Sequence, residues 1–209
     1  MSLITELKIP PTTSYPKLKE FILSNKQPWH LDYYCGENLN DKNDVWEDGK
    51  DIPQYNNCVI SRPYFDTRVP RELGNNHEHY TIDVVRNVEQ ILEYNQIRVG
   101  CIFRVSVNMI PYQPADNSWG SIHVDHKFPH QNLLIYLTPK CTTGGDVRVY
   151  EDTYTGSLWR PPFEKYETFT PTEDSAITFN GMNFHHGQAP TTPNERRVFI
   201  VATYCTELR

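Results

Sequence analysis

Residues 99–138 read VGCIFRVSVNMIPYQPADNSWGSIHVDHKFPHQNLLIYLT. Three runs rich in Val, Ile, Phe and Leu, near 100–110, 121–126 and 132–138, alternate with stretches dense in Pro, Asn, Asp and Gly. Short β-branched and aromatic runs bounded by turn residues are strand signals. The pattern continues downstream, with strands expected near 146–151, 164–169, 175–180, 184–188 and 196–205. Two proline-containing stretches, Ile110–Asn117 and Thr155–Phe163, read as long loops. Upstream the character changes. Residues 15–25 (YPKLKEFILSN) place Leu18, Phe21 and Ile22 on one helical face, with Ser14 as a possible N-cap. Residues 78–96 form a longer helical pattern, with Ile82, Val85, Val88 and Leu92 in one stripe and Ile91 beside it. Residues 35–57, rich in Asn and Asp, read as loop. Short strands in series with helices only before them argue for a mainly β protein. A sandwich or barrel with N-terminal helices against it is the expected architecture.

The chain has 209 residues, a length that suits one domain with a substantial core. Its 13 Tyr, 9 Phe and 4 Trp are too many for a disordered chain. The longest apolar stretches, such as Leu133–Leu137 and Val198–Tyr204, fall far short of the roughly 20 residues a membrane-spanning helix needs. The N-terminal MSLITELKIPP lacks a basic segment followed by an apolar one, so no secretory signal is expected. A formal charge of −6 is a poor basis for sequence-independent nucleic-acid binding. The five cysteines are odd in number and widely spaced, with no CxxC pair, which removes the usual structural-zinc signature. Free thiols in a reducing, cytoplasmic setting are expected.

Chemistry concentrates in three places. In Ser121-Ile122-His123-Val124-Asp125-His126, side chains at i and i+2 of a strand share a face. His123 and Asp125 would therefore project together, about 7 Å apart along the strand. One imidazole and one carboxylate can hold one edge of a metal ion if a third ligand arrives from elsewhere. About 60 residues on, Ile177-Thr178-Phe179-Asn180-Gly181-Met182-Asn183-Phe184-His185-His186-Gly187 reads as strand, turn and a histidine in the next strand. Then Arg196-Arg197 opens the apolar run Val198-Phe199-Ile200-Val201. A charge at the head of a buried strand is costly unless an anion meets it, and guanidinium is shaped for a bidentate carboxylate.

The order HxD, distant His, then Arg resembles the Fe(II)- and 2-oxoglutarate-dependent oxygenases. Two His and one carboxylate on one face of iron leave three positions open in such sites. Leu133-Leu134-Ile135-Tyr136-Leu137-Thr138 followed by Gly144-Gly145-Asp146-Val147 resembles the prolyl-4-hydroxylase-like branch, as does Phe179 six residues before His185. Thr138 departs from that branch's usual Asn. The small size looks like the phage and bacterial members. The resemblance covers roughly residues 100–205. It implies a double-stranded β-helix (jelly-roll, cupin-like) core over 99–209, with 1–98 as a helical and loop support region of one oxygenase domain spanning 1–209. It also implies Fe(II) held by His123, Asp125 and His185, and 2-oxoglutarate bound through its far carboxylate by Arg197 and Tyr136. O₂ is the third cosubstrate. The implied reaction is dioxygenase hydroxylation of a C–H bond with release of succinate and CO₂. The branch points to a prolyl residue in a peptide or protein as substrate, with no membrane or nucleic-acid partner. The setting would be the cytoplasm of the cell or of an infected host cell.

Several alternatives remain at this level. His186 competes with His185, and Arg196 with Arg197. Phe179 spacing favours His185, and the apolar run directly after it favours Arg197. His126 and His130 read as residues of a loop at the barrel mouth rather than as a zinc cluster. His77-Glu78-His79 reads as a solvated helix start. Trp119 lines the substrate entrance or packs under the loop, and Arg148 reads first as a strand residue facing water, with the substrate groove as the alternative. A non-prolyl substrate (a free amino acid, another protein side chain or a nucleotide) would use the same cofactors. A non-catalytic cupin-like binding protein would have no use for the Arg. A zinc hydrolase would need HxH or HExxH spacing, which HVDH does not supply.

Overall fold

A computed structural model describes residues 2–11, 14–24, 30–32, 59–66, 78–156 and 162–207, with side chains placed except at 30–32, 59–66, 78–82 and 117. The described residues form strands β1 (Ile4–Leu7), β2 (His30–Asp32), β3 (Val59–Asp66), β4 (Val99–Pro111), β5 (Gln131–Tyr136), β6 (Val147–Thr153), β7 (Tyr166–Phe169), β8 (Ala176–Asn180), β9 (Asn183–Gly187) and β10 (Arg196–Thr206). Helices α1 (Ser14–Leu23) and α2 (Glu78–Tyr94) precede β4. Residues 35–57 of the expected loop, and His77 of the HEH triplet, lie outside the described residues. No described helix is long and apolar enough to cross a membrane.

The strands make two sheets, every pairing antiparallel. The larger runs β1-β8-β5-β10-β4-β3-β2 and the smaller β7-β6-β9. From β4 onward the chain passes repeatedly from one sheet to the other. Side-chain alternation follows from that placement. Along β10, Val198, Ile200, Ala202 and Tyr204 join a core with α1 and α2, while Phe199 and Val201 join a second core between the sheets. A strand covered on both faces must be apolar on both, which explains the unbroken run from Val198 to Ala202.

The helices form where the spacing predicts, with adjustments. In α1, Tyr15, Leu18 and Ile22 are buried. Ser14 is the first helical residue, and its hydroxyl bonds the Asn87 side chain at 3.2 Å. In α2 the buried stripe is Val84, Val88, Ile91 and Leu92, with Val85 only partly covered. It is rotated from the expected one because Asn87 is also buried, bonded to Ser14 and to the Asp83 carbonyl at 2.7 Å. Beyond α2, Gln96 takes a positive φ of 61° while Ile97 N–H bonds back to the Leu92 carbonyl at 2.9 Å, a left-handed stop.

Two differences from the sequence reading bear on the site. The region before residue 98 supplies three strands to the larger sheet as well as helices. The segment 121–126 is not a continuous strand. It is held by an isolated bridge between His123 and His185, by reciprocal backbone bonds of 3.0 and 2.9 Å, and by Gly120 N–H on the Gly187 carbonyl at 2.9 Å.

Candidate metal centre

β9 and the 121–126 segment meet at the His123–His185 bridge. There His123, Asp125 and His185 bring their ligand atoms within 4.8 Å of one another. The His185 Nε2 lies 3.4 Å from Asp125 Oδ2. Asp125 and His185 are buried, and His123 keeps partial exposure.

Both imidazoles are oriented by the backbone. His123 Nδ1–H donates to the Ser121 carbonyl at 2.8 Å and His185 Nδ1–H to the Asn183 carbonyl at 3.1 Å. Each bond fixes the tautomer and leaves an Nε2 lone pair for a metal. Burial, then the neighbouring His185, pushes the His123 imidazole down to about 4, so it is neutral at pH 7. Burial alone would raise the Asp125 carboxyl. The Arg104 guanidinium and His185 outweigh that and hold it well below the usual carboxylate range. Arg104 Nη2 donates to Oδ1 at 2.6 Å and Asn132 Nδ2 to Oδ2 at 2.7 Å. Two imidazoles and an ionised carboxylate, their ligand atoms within 4.8 Å of one another, are a donor set that fits a divalent ion with open positions.

The structure separates the paired candidates. His185 faces the space between the sheets, with the Phe179 ring edge-on at 5.0 Å. His186 points to the other face. It donates from Nδ1 to the Gly120 carbonyl at 3.1 Å, accepts from the Tyr150 hydroxyl at 3.0 Å, and stacks on Trp119 at 4.5 Å. Arg196 is exposed, whereas Arg197 is 3% exposed and inward-facing. Arg197 donates to the carbonyls of Gly145 and of Asp146, the latter at 3.1 Å. Its Cζ lies 5.8 Å from the Tyr136 ring centre and 5.1 Å from that of Phe199. Across from it, Gly187 leaves the room the guanidinium occupies, since a β-carbon there would sit 2.6 Å from Nη2. Tyr136 is buried, and burial, partly offset by Arg197, pushes its hydroxyl up to about 12. It is therefore a neutral hydrogen-bonding group.

Other expectations change. His126 and His130 do lie in irregular backbone, as expected, but their side chains are buried, at 2% and 3% exposed. His126 Nε2 bonds the Thr203 hydroxyl at 3.0 Å, and His130 Nδ1–H donates to the Phe128 carbonyl at 2.7 Å. The two rings meet edge-on at 4.9 Å and pack against Phe128, so the two imidazoles are buried while Lys127, Phe128 and Pro129 between them stay exposed. Trp119 and Arg148 belong to a stack on the outer face of the smaller sheet. The Arg148 guanidinium lies 4.1 Å from the Trp119 ring centre and 4.5 Å from that of Tyr166. Arg104 and Asn132 were not singled out by the sequence. The signal available was a lone Arg inside the apolar run Ile102-Phe103-Arg104-Val105, costly to bury without an anion.

No protein-family model matches the chain, and no curated protein matches it. Solved structures do. A 2OG-Fe(II) oxygenase family oxidoreductase from Burkholderia pseudomallei aligns over 97% of this chain and 85% of its own, with a TM-score of 0.58 and 13% identity. A prolyl hydroxylase from Trichoplax adhaerens, in complex with a hypoxia inducible factor peptide fragment, aligns over 98% and 84%, with a TM-score of 0.57 and 13% identity. The alpha-ketoglutarate-dependent carbocyclase SnoK of nogalamycin biosynthesis aligns over 99% and 80%, with a TM-score of 0.60 and 11% identity. At these identities the likeness establishes a shared fold.

Proposed function

We propose that this protein is an Fe(II)- and 2-oxoglutarate-dependent dioxygenase built on a double-stranded β-helix, residues 1–209 forming one domain. The observation that carries the reading is the convergence of His123, Asp125 and His185 in a fold shared with such oxygenases. His123 and His185 present Nε2 lone pairs held by their Nδ1 bonds, and Asp125 supplies a carboxylate kept ionised by Arg104. Arg197 and the neutral Tyr136 hydroxyl receive the far carboxylate of 2-oxoglutarate, deep between the sheets, where the guanidinium would exchange carbonyl bonds for a charged partner. Leu134, Phe179 and Val201, inward-facing members of the same core, keep water from that carboxylate's path. Iron bound there supplies, with 2-oxoglutarate and O₂, the oxidising power to place one oxygen atom in a C–H bond with release of succinate and CO₂. The protein's own contribution is orientation of the cosubstrates and exclusion of side reactions.

The substrate proposed first is a prolyl residue in a peptide or protein, as in the Trichoplax neighbour with its bound peptide. A small-molecule substrate is the second reading, favoured by neighbours that are an epimerase and a carbocyclase. Fold and cofactor do not choose between them. The test is Fe(II)-dependent conversion of 2-oxoglutarate to succinate, with proline-rich peptides and with small cyclic substrates, analysed for a one-oxygen mass gain. Peptide-stimulated succinate with an oxygen added to proline is the expected result, lost in His123→Ala. Stimulation by small molecules alone would move the substrate to the second reading. No 2-oxoglutarate turnover and no iron binding would overturn the proposal.

A further inference from the structure

Cys101 and Cys205 face each other across the β4–β10 ladder as direct register partners. Both are free thiols, Cys101 exposed and Cys205 half-buried. Directly opposed residues of antiparallel strands have Cα atoms about 4.5–5.5 Å apart and side chains on one face. That spacing lies inside the range of roughly 4.4–6.8 Å a disulfide accepts. The ladder also has slack at this point. Register shifts fall between Thr203 and Tyr204 and between Cys205 and Thr206, on both sides of Cys205. Gly100 leaves space for the sulfur, since a β-carbon there would sit 3.2 Å from Cys205 Sγ. Burial, then the neighbouring Cys205 thiol, pushes the Cys101 thiol up from its ordinary value. Cys101 also lines a surface groove between α2 and β4, with Val85, Glu89 and Val99, through which a small oxidant can reach it.

We propose that Cys101 and Cys205 are an oxidisable pair that closes into an intrachain disulfide when a hydroperoxide reaches Cys101. In the first step the Cys101 sulfur attacks one peroxide oxygen. The O–O bond breaks, the distal oxygen leaves as water with the thiol proton, and Cys101 becomes a sulfenic acid. In the second, Cys205 sulfur attacks Cys101 sulfur. The S–S bond forms, the S–O bond breaks, and the hydroxyl leaves as a second water with the Cys205 proton. The peroxide accepts the two electrons the thiols lose. The bond would join β4, first of the strands from residue 99 onward, to β10, the last. It would close a loop containing β5 to β9, long enough for a large restriction of the unfolded chain. It would also fix the ladder beside Arg104 and Thr203, which hold Asp125 and His126. The inference does not depend on the oxygenase reading, because it concerns the strand pairing alone.

The test uses the full chain with a chelator present, so that no bound iron reacts with the peroxide. Hydrogen peroxide should lower the intact mass by 2 Da. A tryptic digest should then contain residues 99–104 (VGCIFR) linked to 198–209 (VFIVATYCTELR), released by dithiothreitol. The oxidised protein should unfold roughly 5–15 °C higher than the reduced one. In Cys205→Ser, Cys101 should stop at a sulfenic acid that a 1,3-dicarbonyl probe traps. The two peptides remaining unlinked at a peroxide dose that consumes the exposed thiols, or linked to other cysteines instead, would overturn the proposal.

Discussion

The carboxylate of Asp125 is gripped from both sides, Oδ1 by Arg104 and Oδ2 by Asn132. Each oxygen keeps a lone pair that could serve a metal, and Oδ2 lies 3.4 Å from His185 Nε2. Arg104→Ala should leave a buried carboxylate without a counterion. At pH 7 the expected loss is about 2–3 kcal/mol of folding stability, below that of a fully buried pair because Arg104 is partly exposed. Divalent-metal affinity should fall by roughly 10–100-fold, since the ligand would lose its orientation. Calorimetric titration with Co(II) as an oxygen-stable probe measures the second effect, and unchanged affinity would show Arg104 to be structural only. The sequence made Asp125 visible through the HxD spacing, which places two donors on one face. It did not reveal Arg104, because a single arginine in a strand has no periodic signature. Only the register Asp66↔Arg104↔Thr203 puts that position beside the site.

Strand β9 shows how an element settles what residue types leave open. Asn183 and His185 point inward while Phe184 and His186 point outward, so adjacent histidines receive unrelated tasks. The outward one holds the chain just before the 121–126 segment, by its bond to Gly120 and its stack on Trp119. The next inward position is Gly187, and its missing side chain makes room for Arg197. Gly187→Ala should therefore displace the guanidinium. Affinity for 2-oxoglutarate is expected to fall at least about tenfold while metal affinity stays within about twofold, because one methyl forces a bulky charged group off its site. Equilibrium dialysis of both ligands reads the split; parallel loss of both would indicate a collapsed strand instead. The same element-level logic decided between Arg196 and Arg197. The alternation of β10 puts the second inside, which the sequence could only suggest through the apolar run after it.

Across the whole molecule the β core was legible and the N-terminal strands of the larger sheet were not. Downstream of residue 99, composition and turns mark most strands to within a few residues. β1 and β2 are four and three residues long and sit at the sheet edges, where neighbours rather than local preference make the strand. β3 contains Pro63 beside a register shift, a residue that argues against a strand when read alone.

His123 and His186 also tie global stability to pH. Burial pushes both His123 and His186 down to about 4 from an ordinary value of 6.5. Above 6.5 neither folded nor unfolded chain protonates them. Between 6.5 and 4 the unfolded chain takes up the proton first, so stability falls as pH falls, and the loss levels off below 4. Each contributes up to about 3 kcal/mol over that window in the metal-free protein. Urea unfolding at pH 7 and pH 4.5 measures it, and His186→Gln should flatten the dependence.

The most direct test of the proposed centre is an anaerobic titration of 2-oxoglutarate into the Fe(II)-loaded protein, followed by the visible charge-transfer absorption of an iron-bound 2-oxoacid. The band should appear with wild type and with Arg196→Ala. It should require at least about tenfold more 2-oxoglutarate in Arg197→Ala, which would lose the proposed charge-assisted contact, and be absent in His185→Ala. A band of undiminished strength in His185→Ala, or none in the wild type with iron bound, would contradict the assignment of His123, Asp125 and His185 as the metal ligands and of Arg197 as the cosubstrate anchor.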